Sequence, residues 1–243
     1  MDDASIKHLN EINRRFYEIT ASNFDQTRQV AWPGWEKLRP YLSDVSSVLD
    51  VGCGNGRFGL FVDDTVDHAV QYHGIDNNAA LLTYAEDALT DHKQLNATLT
   101  QHDIVEASLD DFCCYDLVVL FGVIHHVPGM DNRRAFMRRL ADCVADDGLL
   151  VFASWRFYEY ERFQQRVVAW DDYDAQEALT IEEDDYLLDW RRGERALRYC
   201  HYVNDAEQQL LIAASGLTHV ETYRADGFTG DVNCYSVLRK SSA

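Results

Sequence analysis

Two acids and three glycines give the first chemical signal in this sequence. Val48-Leu49-Asp50-Val51-Gly52-Cys53-Gly54-Asn55-Gly56 is an apolar run that passes straight into a glycine-rich turn, and Asp76 closes the next apolar run, Tyr72-His73-Gly74-Ile75-Asp76. Glycines in such a turn permit positive φ and let a ligand approach the backbone closely. An acid about 20 residues further on can accept from both hydroxyls of a ribose. The spacing is GxGxG with Asp50 ahead of it, in place of the GxGxxG that sets a helix N-terminus against a pyrophosphate. The pattern therefore suits a ligand that has a ribose and cationic groups but no phosphate.

S-adenosylmethionine (SAM) has these features: its ammonium and sulfonium favour nearby carboxylates, and its ribose diol can bind one acid bidentately. A third segment, Gln101-His102-Asp103-Ile104, adds an acid able to accept from the adenine amino group and an apolar residue able to cover the ring. Each segment alone could be a tight structural turn or a surface acid. Their ordered occurrence favours a SAM site.

These residues need elements to hold them. Apolar periodicity predicts an opening helix over Ser5–Thr20 (Ile6, Leu9, Ile12, Phe16, Ile19) and a second from Trp32 or Pro33 to Tyr41. From Ser47 strands alternate with helices: strands at Val48–Val51, Gln71–Ile75, Thr98–Gln101, Leu117–Phe121 and Leu149–Ala153, helices near Phe58–Val66, Ala79–Leu89 and Asn132–Ala145. Asn204 can cap a helix over Asp205–Ala214, ahead of strands near His219–Tyr223 and Tyr235–Leu238. The expectation is an α/β fold: a doubly wound, mostly parallel seven-stranded Rossmann-like sheet with an antiparallel C-terminal hairpin. One domain is expected over 1–243, with a helical segment at 1–45 and an acidic, aromatic insertion at 155–198 beside the substrate.

The bulk composition narrows the function classes. A net charge of −19 argues against a generic nucleic-acid binder, which usually presents excess Lys and Arg. Four lysines stand against eighteen arginines and 41 acids, a balance that fits a high-salt cytoplasm. Six cysteines show no CxxC pair and no His/Cys ligand spacing, so neither a disulfide framework nor a structural metal is expected. No apolar stretch approaches the roughly 20 residues of a membrane span, and Met1-Asp2-Asp3 lacks a secretion signal. A soluble cytoplasmic protein is expected.

The run VLDVGCGNG, with GIDNN, HDI and YDLVVLFGVIHHV, resembles the class I SAM-dependent methyltransferases over roughly Ser47–Ala153. A narrower resemblance spans nearly the whole chain. Phe16-Tyr17-Glu18-Ile19, Asn23-Phe24-Asp25-Gln26-Thr27-Arg28, Trp32-Pro33, Val123-Ile124-His125-His126 and Leu197-Arg198-Tyr199-Cys200-His201 are similar to segments of the tRNA wobble-uridine carboxymethyl methyltransferases, which esterify 5-carboxymethyluridine. The resemblance implies SAM contacts from Arg28, Asp50, Gly52, Gly54, Asp76, Asn77, Asp103, Ile104 and Phe121. It also implies a tRNA acceptor and a small zinc-binding activator subunit. The acidic balance departs from that family's basic RNA-binding surface.

For a carboxylate acceptor the useful residues are cations and donors: Arg28, His126, Arg198, Tyr199 and His201. Strand alternation would aim Arg198 and Cys200 to one face, Tyr199 and His201 to the other. Two other functions stay open, a small-molecule O- or N-methyltransferase and a non-catalytic SAM-fold scaffold or regulatory subunit, although the intact glycine turn with Asp50 and Asp76 speaks against the latter. An arginine cluster from Arg133, Arg134, Arg138 and Arg139, or from Arg191 and Arg192, would favour RNA. A closed apolar pocket would favour a small acceptor.

Overall fold

The alternating runs beyond Ser47 assemble one sheet, seen in a computed structural model that describes every residue except 91, 174, 176, 177, 192 and 243. Arg192, half of one proposed arginine pair, therefore lies outside the described residues. Helix α1 (Asp3–Gln26) and a 3₁₀ helix over Pro33–Tyr41 precede the sheet. Asp2 caps α1 by accepting from Ser5 N at 2.9 Å. The helix outruns the expected Ser5–Thr20 because nothing in Ala21–Gln26 breaks it, and the Thr27 hydroxyl then closes on Asn23 O at 2.8 Å.

The chain continues through β1 (Ser47–Val51), α2 (Arg57–Thr65), β2 (Val70–Asp76), α3 (Ala79–Leu89), β3 (Leu95–Gln101), β4 (Tyr115–Phe121), α4 (Met130–Asp142) and β5 (Val144–Trp155). A short helix α5 (Glu161–Gln164) and strands β6 (Val167–Val168), β7 (Asp185–Trp190) and β8 (Ala196–His201) follow, then α6 (Asp205–Ser215), β9 (Thr218–Ala225) and β10 (Asn233–Arg239). Asn204 caps α6, accepting from Glu207 N at 3.0 Å.

The main sheet has the order β3-β2-β1-β4-β5-β10-β9. Its first five strands pair in parallel, and β10 runs antiparallel to both β5 and β9, the expected architecture. Alternation along each strand builds two cores. Val48, Val119, Val151 and Val237 meet α2 and the 3₁₀ helix through Phe58, Phe61 and Trp35. Leu49, Val118, Leu150 and Leu238 meet α4 and α6 through Phe136, Leu140 and Leu211.

The insertion carries its own antiparallel sheet, β6-β7-β8. It extends to His201 rather than ending at Arg198, because β8 pairs with β7 from Trp190↔Ala196 through Asp185↔His201. Helix α1 lies against it: Leu9 and Ile12 pack with Leu187 and Tyr199, and Asn13 Oδ1 accepts from Tyr199 N at 2.9 Å.

Candidate active site

The C-terminal ends of β1, β2 and β4 open onto a cavity of about 480 Å³, at the place where open α/β sheets bind ligands. The glycine turn forms its floor. Gly52 takes φ +76° and a Cβ there would fall 2.2 Å from Val123 Cγ2, so neither conformation nor space admits a side chain. Asp76 fixes the turn, its Oδ2 accepting from Gly54 N and its Oδ1 from Asn78 N, both at 2.9 Å. Burial raises its pKa against these amides. Asp50 is buried and accepts from the Tyr72 hydroxyl at 2.6 Å. Burial pushes its carboxyl up to about 7.

Asp103 is braced from α1. Asn10 Nδ2 and Arg14 Nε donate to its Oδ2 at 3.1 and 3.0 Å, while Val105 N donates to Oδ1 at 2.9 Å. Burial opposes ionisation here, but these donors hold the carboxyl below the usual range. All nine residues expected at the cofactor, Arg28, Asp50, Gly52, Gly54, Asp76, Asn77, Asp103, Ile104 and Phe121, line this one cavity.

The other end is cationic and aromatic. Arg198 lies with its guanidinium carbon 4.5 Å from the centre of the Trp155 ring and 5.3 Å from that of Phe16. Arg28 stacks over Phe24 at 4.1 Å. His126 Nδ1 is 2.9 Å from Tyr199 O and its Nε2 is 3.0 Å from the Tyr17 hydroxyl. A carbonyl only accepts, so Nδ1 carries the proton; Nε2 then accepts from Tyr17. Burial, with Arg198 nearby, lowers the His126 pKa to about 3, so the ring is neutral and both nitrogens are committed. His125 is buried beside it, and its Nδ1 has no hydrogen-bond partner among the described residues.

Tyr199 and His201 do not join this site. Alternation turns them away from Arg198, and both are buried. The Tyr199 hydroxyl donates to Asp185 Oδ1 at 2.7 Å. His201 lies between Asp185 and Glu207 at 2.7 Å from each. The expectation of catalytic roles for these two residues is corrected accordingly: they belong to a polar interior behind the strand. Glu182, Asp185 and His201 converge there, with the Arg133 guanidinium against two of them, 2.9 Å from Glu182 Oε2 and 3.0 Å from His201 Nε2.

Several lining residues escape sequence reasoning. Tyr17 sits in a segment whose one sequence signal is its resemblance. Arg162, Phe163 and Arg166 come from α5 and its exit, inside the insertion. Their only sequence signal is arginine and aromatic residues interleaved in an acidic stretch.

A model described as "Methyltransferase domain" matches residues 49–150. A protein of Encephalitozoon cuniculi provisionally named a methyltransferase is 28% identical over 188 residues, covering 77% of this chain and 78% of that one. The tRNA (carboxymethyluridine(34)-5-O)-methyltransferase of Mus musculus is 23% identical over 226 residues, 90% of this chain and 30% of that larger protein. Among solved structures, N-methyltransferase NodS of Bradyrhizobium japonicum, in complex with S-adenosyl-L-homocysteine, superposes with a TM-score of 0.60 at 18% identity, covering 94% of this chain and 98% of that one. The protein is a SAM-dependent methyltransferase of the class I fold.

The donor set of this methyltransferase fits its cofactor. Asp76, held by backbone amides, can accept from the ribose hydroxyls, Asp50 and Asp103 offer further acceptors, and Ile104 and Phe121 give apolar surface. When bound, SAM supplies an electrophilic methyl group on a sulfonium. Among the described residues no helix is long and apolar enough to cross a membrane.

Proposed function

We propose that this methyltransferase forms a methyl ester on a carboxylate attached to a planar base, and that the acceptor is 5-carboxymethyluridine at the wobble position of tRNA. The observation that carries this reading is the charge of the acceptor end. Arg28, Arg162, Arg166 and Arg198 line the cavity with Trp155, Phe163 and Trp190, in a chain whose net charge is −19. The guanidinium fork matches carboxylate geometry, and the aromatic faces suit a base. A carboxylate nucleophile is ionised at neutral pH and needs no general base. Alignment and water exclusion are then the protein's tasks. His126 fits a positioning role, since both its nitrogens are engaged, and it holds the Tyr17 hydroxyl at the cavity wall. The named activity of the mouse relative supports the same acceptor.

One observation favours a smaller carboxylate acceptor instead. Arg133 is fully buried among Glu182 and Glu207, and Arg191 pairs with Asp189 at 2.8 Å, so these arginines do not supply a basic RNA-binding patch. The test is transfer from methyl-labelled SAM to tRNA, to an oligonucleotide and to the nucleoside, each bearing 5-carboxymethyluridine. It is run with and without a small zinc-binding subunit, the partner implied by the resemblance. Label in a uridine methyl ester supports the proposal; no ester on any of them, with SAM binding intact, overturns it.

A further inference from the structure

The loop from β9 to β10 lines the cavity with both its ends, on a fixed base. Asp226 is buried at φ +70°; it accepts from Gly34 N at 2.7 Å and from Asn233 Nδ2 at 2.8 Å. Gly227, at φ +72°, presses against Val232, where a Cβ would lie 2.4 Å from Cγ2. Asp226, Gly227, Val232 and Asn233 all line the cavity. Between the turns at Gly227 and Gly230 (φ +78°), Phe228 stands 98% exposed.

Among the described residues, only Phe228 and Val30 are large hydrophobics more than half exposed, Val30 at 77%. Both are close in sequence to residues at the mouth, since Arg28 and Trp32 line the cavity on either side of Val30. A fully exposed aromatic ring on a loop that lines a binding site offers a face on which a base can stack. The insertion fixes the geometry from the other side: the Tyr160 hydroxyl donates to Asp231 Oδ1 at 2.5 Å, and Arg224 Nη2 donates to Glu159 Oε2 at 2.6 Å. Arg162 Nη2 thereby comes within 3.7 Å of a Cβ position on Gly227, so a cation stands next to the exposed ring's loop.

We propose that Phe228 is a stacking platform for a nucleobase adjoining the reactive one, on a loop beside the Arg162 guanidinium. The inference rests on the carboxyl-bearing base proposed above. An acceptor small enough to enter the cavity has no part left outside for Phe228 to meet; a polynucleotide does. Base stacking on an aromatic ring is tolerant of sequence, because every base has a π-face.

The experiment compares wild type, Phe228→Ala and Phe228→Trp, with SAM and two acceptors: a single-stranded oligonucleotide containing 5-carboxymethyluridine, and the free nucleoside. Phe228→Ala is expected to raise KM for the oligonucleotide roughly fivefold to a hundredfold, the range of a lost base stack. The kcat at saturation, the nucleoside KM and the SAM Kd are expected to hold, and Phe228→Trp to stay near wild type. Equal oligonucleotide KM in wild type and Phe228→Ala overturns this inference alone. Wild type esterifying neither acceptor removes this inference, and failure on tRNA as well removes the underlying reading with it, whereas an ester only on the nucleoside refutes the platform and leaves the carboxylate chemistry standing.

Discussion

Arg133 and Glu207 face each other in the interior, Nε 2.6 Å from Oε1 with both side chains buried. The second Glu207 oxygen is 2.7 Å from His201 Nε2, and His201 Nδ1 is 2.7 Å from Asp185 Oδ1. Two carboxylates on opposite ring nitrogens require both nitrogens to donate, so His201 is an imidazolium. The 3.0 Å approach of Arg133 Nη2 to His201 Nε2 is then two donors side by side, tolerated because Glu182, Asp185 and Glu207 surround them. This network joins α4 and α6 to the second sheet.

Breaking it from one side leaves buried charge without its partner. Glu207→Gln is expected to cost about 3–5 kcal/mol, the usual penalty for such a cut, and Arg133→Met with Glu207→Leu clearly less than either single change. Chemical denaturation of wild type, Glu207→Gln, Arg133→Met, Glu207→Leu and the double variant checks this; a double variant as unstable as the sum of its singles would contradict it.

Two pH windows follow. Burial alone would lower the His201 pKa, but Asp185 and Glu207 hold it above its ordinary value. Its contribution to stability is therefore complete below about pH 6.5 and disappears as pH rises through the folded pKa. Asp50, raised by burial to about 7, binds its proton more tightly folded than unfolded, so stability of the cofactor-free protein declines between about pH 4 and 7. Asp50→Asn is expected to flatten the acidic window and His201→Gln the one above it, each read from unfolding midpoints across pH.

Asp76→Ala is expected to weaken SAM binding by tenfold or more, in line with about 1.5–3 kcal/mol for hydrogen bonds to a charged group. Calorimetry measures it directly, with circular dichroism to verify the fold. Unchanged affinity would remove Asp76 from the ribose subsite.

Arg198→Ala and Arg28→Ala are expected to lose turnover while the protein stays folded. Arg198→Lys keeps the charge but not the planar fork, so it is expected to recover binding of the acceptor better than rate. Steady-state kinetics on the three variants separates KM from kcat; wild-type turnover in Arg198→Ala would exclude it from acceptor alignment.

The charge predicts a salt response as well. With 41 acids and 22 basic residues, self-repulsion destabilises the compact state, and counterions relieve it. The unfolding midpoint is expected to climb from low to molar KCl, and a flat response would dismiss salt adaptation.

The parts legible in the sequence are those written locally. The strand–turn–helix at Val48–Gly56, the acid ending β2 and the helix over Ala79–Leu89 follow from period and turn chemistry within a dozen residues. Arg133 is the opposite case: in an exposed-looking run of four arginines it reads as surface charge, and only pairing with Glu207, 74 residues away, reveals it as interior. Tyr17 and His126 are 109 residues apart, so no spacing rule joins them. Strand alternation did separate Arg198 from Tyr199 and His201. The resemblance joins Arg198, Tyr199 and His201 in one motif, whereas the strand splits that motif between two faces and turns Tyr199 and His201 away from the cavity.

Helix α1 spans the molecule's halves: Asn10 and Arg14 brace Asp103, Tyr17 reaches His126, and Asn13 accepts from Tyr199 N across 186 residues. In chain order this helix is made well ahead of β7 and β8, the strands on which Leu9, Ile12 and Phe16 pack. The nascent chain therefore carries that apolar stripe without its partner strands until β8 has been made, and the walls of the active site close only then. Until that point the stripe is open to capture by chaperones or by neighbouring chains.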